Sequence, residues 1–141
     1  MTGALAEMDR EYLCVVNLDG KCKPINYNII GIRTINTCPV EISNVFKSAI
    51  LANAGSIIML HSHQCGDVTP SKHDIMITAA LIKASRIMNI PLEDHIIIGG
   101  GSGAQYSFRE QTDMFKKPEA AAVWEEIIGK KNNTERTVME P

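Results

Sequence analysis

Ser56 to His61 (SIIMLH) is the stretch that most narrows what this chain can fold into. It is short, apolar through its middle, preceded by Gly55 and followed by a polar loop containing Gly66 and Pro70. Such a run reads as a central strand buried on both faces, not as the alternating strand of a half-exposed sheet. Beyond the loop, Ser71 precedes a long, mostly apolar helical pattern in which Ile75, Ala79, Ile82 and Arg86 recur, flanked by Leu81 and Ile87. Pro91 stops it, and His95 to Ile98 (HIII), ahead of consecutive glycines, reads as another buried strand. The order strand, loop, helix, strand predicts an α/β fold around a mixed sheet.

The rest of the chain fills in around that unit. Tyr12 to Leu18 (YLCVVNL) is rich in β-formers and runs into Asp19-Gly20, a dipeptide suited to a two-residue hairpin, so a second strand is expected over Lys21 to Ile30. That register sets Cys14 opposite Ile25 and Cys22 opposite Asn17. Thr34 to Val40 reads as a third strand broken by Pro39. Between Glu41 and Asn53 the residues Ile42, Val45, Phe46, Ala49 and Ile50 follow helical spacing, with Gly55 just past the end. A short last strand is expected at Gln105 to Phe108. Pro118 to Ile128 reads as a further helix stopped by Gly129, and Lys130 to Pro141 as a mobile tail. Residues 1–117 are therefore read as a single domain and 118–141 as an appended helix and tail.

Composition removes several function classes. The chain has 141 residues, 45% of them hydrophobic, enough for one sizeable core. No apolar run approaches the about 20 residues of a bilayer span, and no signal peptide is visible, so a cytoplasmic protein without a membrane partner is expected. A net charge of −2 gives no general attraction for nucleic acid. The cysteines, Cys14, Cys22, Cys38 and Cys65, form no CxxC pair and are read as reduced thiols.

The segment that carries chemistry is His61-Ser62-His63, then seven residues, then Ser71-Lys72-His73-Asp74. Two histidines at i and i+2, where a strand opens into a loop, can aim imidazole nitrogens at one point. Asp74, in the first turn of the next helix, supplies a third donor and leaves a fourth tetrahedral position open, as a catalytic zinc requires. Hydrolysis also needs a carboxylate as general base and a donor for the developing oxyanion, and the Ser71 hydroxyl lies at the same loop–helix junction. The same pair has a purely structural explanation, because Ser71-x-x-Asp74 ahead of an apolar helix nearly matches a capping box. His73 reads as a surface residue, His95 as a core histidine or one supporting the metal ligands, Cys65 as a small loop side chain or an added thiolate donor. Gly99 to Gly103 reads as a flexible turn without a Walker lysine, and Trp124 as packing.

The string HSHx₇SxxD matches the JAMM signature of JAB/MPN metalloproteases, and the residues around it resemble RadC proteins in particular. GDVTPSKHD after the histidines, PLEDHIIIG from Pro91 and AILANAGSIIMLH from Ala49 extend the resemblance over about Asp9 to Phe108. It implies a three-layer α-β-α sandwich of the MPN, cytidine-deaminase-like type, and a zinc-dependent hydrolase acting on an amide bond of a peptide or protein by way of metal-bound water. Carried over by position, His61, His63 and Asp74 bind zinc, and Ser71 stabilises the tetrahedral intermediate. The family's glutamate ahead of an early strand falls on Glu11 as general base, with Glu7 and Glu41 as the next candidates. One departure is plain: His63-Gln64-Cys65-Gly66 stands where RadC sequences have His-Pro-Ser-Gly, losing a stiffening proline. The resemblance covers this domain alone, so functions of the helical region that precedes it in full-length RadC proteins are not carried over.

Two other classes share this resemblance. Some MPN members have lost the metal set and serve as interaction scaffolds, against which all three ligand types are retained here. RadC proteins also bear a DNA-repair label, but this chain offers no basic stripe and little aromatic surface to support it.

Overall fold

The computed structural model describes residues 11–33 and 41–116. Their elements run β1 (Glu11–Leu18), β2 (Pro24–Arg33), α1 (Ile42–Leu51), β3 (Ser56–His63), α2 (Lys72–Met88), β4 (Leu92–Gly99), β5 (Gln105–Ser107) and the short α3 (Phe108–Gln111). The sheet is five-stranded and mixed, ordered β2-β1-β3-β4-β5. Only the β3–β4 pair is parallel, with α2 as its crossover, while β1 runs antiparallel to both neighbours and β5 antiparallel to β4. SIIMLH is thus a central strand with partners on both sides, as its apolar composition requires.

Both long helices cover one face. Val45, Phe46 and Ala49 of α1 and Leu81 and Ile82 of α2 bury against Leu13, Val15, Ile57 and Met59 of the sheet. Each of these side chains larger than Ala49 contributes roughly 1.5–3 kcal/mol relative to exposure. The opposite face gathers Cys14, Val16, Leu18, Leu60 and Ile98 into a second cluster, on which the described residues place no helix. The helix expected over 118–128, the tail, the strand expected over 34–40, Glu7, Cys38 and Trp124 lie outside the described residues. Among the described residues, no helix is long and apolar enough to cross a membrane.

The β1–β2 connection corrects the sequence reading. Cys14 stands opposite Ile29, not Ile25, and the second strand starts at Pro24, not Lys21. The Asp19 carboxylate accepts the Lys21 and Lys23 amides at 2.8 and 2.9 Å, and the Asp19 N–H closes on the Lys23 carbonyl at 2.8 Å. Cys22 takes the left-handed conformation at φ 60°. A side chain that captures two amides builds a wider turn than a two-residue loop and displaces the register. The two thiols still do not face each other.

Helix ends also differ from expectation. The first helix stops at Leu51, with Asn53 at φ 53° reversing the chain. Gly55 serves a different contact, since a Cβ there would lie 3.1 Å from the Gly20 nitrogen, where the β1–β2 turn passes against it. The second helix ends at Met88 on a left-handed Asn89 cap, ahead of Pro91.

Candidate metal centre

Residue positions along β3 put the two histidines on one face. Regular strand geometry continues through His63, so no turn is needed to bring His61 and His63 together: side chains at i and i+2 share a face. Their rings meet edge to face with centroids 4.6 Å apart. The intervening Ser62 accepts the Tyr12 amide at 2.9 Å, just beyond the last β1–β3 pair. At the carboxyl end of this parallel pair the first turn of α2 delivers Asp74, the usual place for a site in an α/β sheet.

The three side chains converge where water is excluded, His61, His63 and Asp74 being 1%, 7% and 1% exposed. Asp74 Oδ1 lies 3.3 Å from His61 Nδ1, and Oδ2 lies 3.3 Å from His63 Nε2. One donor atom from each residue falls within 4.8 Å of the others. A tetrahedral ion with bonds of about 2.0–2.1 Å sets its ligand atoms roughly 3.3–3.4 Å apart; each imidazole meets one carboxylate oxygen at that distance, His61 at Oδ1 and His63 at Oδ2. His63 Nδ1 sits 2.8 Å from the Asp67 carbonyl, which fixes a proton there and makes Nε2, facing Asp74, the nitrogen that an ion would take in exchange for a proton. Among the described residues neither nitrogen of His61 makes a hydrogen bond despite its burial, the Asp74 and Glu11 carboxylates lying at ion-pair distances only. Orphaned buried nitrogens beside a carboxylate have the donor chemistry of a divalent-ion site, and the residues fit zinc.

Charge states follow from these contacts. Burial raises the Asp74 carboxyl, but contacts with His61 and His63 and the Ser71 amide outweigh it and hold the group far below the ordinary carboxylate range. Burial lowers His63, yet Asp74, the Asp67 carbonyl and the Glu11 charge carry it above its ordinary value. Burial pushes His95 down to about 3, so it is neutral.

Ser71 and Asp74 form a complete capping box: the Asp74 amide donates to Ser71 Oγ at 3.1 Å and the Ser71 amide to Asp74 Oδ2 at 2.9 Å. The structural and the metal readings of this pair therefore hold together, because Asp74 offers two oxygens. Glu11 starts β1 beside the ligand strand, its Oε2 3.8 Å from His61 Nε2. Glu41 is exposed at the start of α1, away from this group. Cys65 is exposed and outside the converging group, and His73 is exposed.

The glycine run after β4 does more than turn. Gly100 donates its amide to the His63 carbonyl at 2.7 Å, and Ser102 Oγ donates to the Gly66 carbonyl at 3.0 Å. A Cβ at Gly99 would lie 2.6 Å from the Gly66 carbonyl oxygen. Backbone thus packs on backbone across the loop that follows His63, which needs glycine. The signal was present in the sequence as consecutive glycines after a strand, but only the pairing of His63 with Gly99 gives it meaning.

A family model described as "RadC-like JAB domain" matches residues 1–113. A UPF0758 protein of Roseiflexus castenholzii is 38% identical over 114 residues, covering 81% of this chain and 48% of the relative. One from Caldanaerobacter subterraneus is 43% identical over 96 residues, covering 68% and 41%, and one from Methanosarcina acetivorans 37% over 97 residues, covering 69% and 42%. The chain spans about half the length of these curated relatives.

Proposed function

The chain belongs to the RadC-like JAB domain family, and from that premise we propose that it is a zinc-dependent hydrolase cleaving an amide bond in a peptide or protein, with His61, His63 and Asp74 holding the ion. The observation that carries this reading is the convergence of two buried imidazoles on an ionised, buried carboxylate, each 3.3 Å from one of its oxygens. A bound zinc supplies Lewis acidity toward a carbonyl and lowers the pKa of water toward about 7. The chain's own groups do the rest. Glu11, adjacent to His61 and partly open to solvent, takes a proton from the attacking water and returns it to the leaving nitrogen. Ser71 Oγ accepts the Asp74 amide, so its hydroxyl hydrogen is not used in the cap and serves as donor to the developing oxyanion.

The test is metal content by elemental analysis of the protein and of His63→Ala, purified without chelator or nickel, followed by peptide and isopeptide hydrolysis. About one zinc per chain, lost in the variant, with hydrolysis that Glu11→Gln abolishes, is the expected result. A satisfied capping box favours a second reading, a scaffold in which Asp74 serves only the helix. Failure to take up added zinc would decide for it.

A further inference from the structure

We infer that His95 and Thr78 are positioning residues that hold both a ligand imidazole and the ligand carboxylate of the His61/His63/Asp74 group in register. The inference rests on reading that group as a metal centre. His95 lies on β4, fully buried, with its ring stacked between Phe108 at 4.8 Å and His61 at 6.1 Å, inclined 10° and 23° to them. Its Nδ1 is 2.6 Å from Thr78 Oγ1, and that same oxygen is 2.6 Å from the Asp74 carbonyl.

A hydroxyl has one hydrogen. Because a carbonyl can only accept, Thr78 donates to Asp74 and must accept from His95, which places the His95 proton on Nδ1. The result is a directed chain, His95 Nδ1–H to Thr78 Oγ1–H to the Asp74 carbonyl, tying β4 to the first turn of α2 where the ligand carboxylate sits. His95 Nε2 is left buried without a partner, a penalty with no return if the residue served packing alone, since phenylalanine would fill the space.

His61 needs such support. Ligand histidines are usually oriented by a hydrogen bond from the second ring nitrogen, and His63 has one in the Asp67 carbonyl. Among the described residues His61 has no such bond to a backbone carbonyl: its nitrogens meet only the Asp74 and Glu11 carboxylates, at 3.3 and 3.8 Å, and its ring faces are packed by His95, stacked on it, and His63, edge-on. One residue therefore reaches His61 through its face and Asp74 through Thr78.

The experiment compares the 141-residue chain with Thr78→Val, Thr78→Ser and His95→Phe, measuring zinc affinity by chelator competition and the visible absorption of the cobalt(II) form, with circular dichroism to check folding. Thr78→Val and His95→Phe are expected to weaken zinc by about 10- to 100-fold and to shift the cobalt bands, as loss of groups behind metal ligands does. Thr78→Ser, which keeps the hydroxyl, is expected to restore both readouts. Wild-type affinity and spectrum in a folded Thr78→Val would overturn the inference, as would equal losses in Thr78→Ser and Thr78→Val, since the variant that keeps the hydroxyl would then do no better than the one that lacks it. Unfolding of both Thr78→Val and His95→Phe would assign the pair to the fold alone. A wild-type chain that takes up neither zinc nor cobalt removes the metal centre itself, whereas wild-type binding with indifferent variants removes only this inference.

Discussion

Two polar clusters sit at opposite ends of β1 and β3, one reaching the surface around the buried Asn17 and one around the buried His61, His63 and Asp74, and they are built differently. At the hairpin end Asn17 donates to Asn26 Oδ1 at 2.8 Å and to Ser48 Oγ at 3.0 Å, and Asn28 donates to the same Ser48 oxygen at 2.7 Å. The bonds run from side chain to side chain and fasten β2 to α1, with a single amide oxygen of Asn17 unpaired. At the other end the bonds are made behind the site, to the Asp67 carbonyl, the Ser71 amide and Thr78, while among the described residues neither nitrogen of His61 makes a hydrogen bond, Nδ1 standing 3.3 Å from the ionised Asp74 carboxylate. A structural cluster closes on itself. A binding cluster secures its outer atoms and keeps inner lone pairs directed at a shared point, which is unfavourable until a ligand arrives.

The strongest way to break this contrast is to remove one inner donor from each end. Asp74→Ala or His61→Ala should abolish zinc uptake, read as metal per chain falling from about one to none. Asn17→Ala should leave uptake unchanged and lower stability by about 1–3 kcal/mol in urea unfolding, because it removes the buried amide that bonds both β2 and α1. Zinc uptake that survives Asp74→Ala would end the binding reading of that cluster. Next in size, Glu11→Gln should keep the ion and reduce turnover by about 10²–10⁴-fold in the peptide assay, and undiminished turnover would remove Glu11 from proton transfer.

Acid should separate the ends further. His63 holds its proton more tightly than a free histidine, so an ion must displace that proton. Apparent zinc affinity should fall by about tenfold per pH unit once the pH drops below the raised value, seen by titration between pH 5 and 8. The ion-free fold should respond with the opposite sign. Its protonated His63–Asp74 pair contributes stability that is full below the unfolded histidine value of about 6.5 and is lost as pH rises through the raised folded value. The asparagine cluster contains no titrating group and should show neither trend.

Glycines give the smallest contrast. Gly99→Ala forces a Cβ against the Gly66 carbonyl and should cost about 1–3 kcal/mol together with weakened zinc binding. Gly20→Ala, with nothing within 4 Å of its Cβ, should change stability by less than about 1 kcal/mol in the same unfolding series.

Much of this was legible from residue order. The buried runs of β3 and β4, the amphipathic stretch of α2 and its Ser71 start are local, because period and cap chemistry act within a few residues. The hairpin register was not, since the turn is decided by where the Asp19 carboxylate finds its donors. His95 was visible only as a histidine in an apolar strand, and its link to Asp74 exists because β4 lies beside β3 with α2 above them.

By itself, then, the sequence determined the candidate ligand types and their spacing, His61 and His63 at i and i+2 on one strand and Asp74 at the third position of a capped helix, since these relations are set by strand and helix periodicity. Only the tertiary structure decided how these groups are held: the approach of Glu11 to His61, the glycine backbone against the His63 loop, and the His95–Thr78 chain behind the ligands. Each joins residues far apart in the chain, and a local pattern carries no information about which distant atoms chain packing will bring within hydrogen-bonding distance.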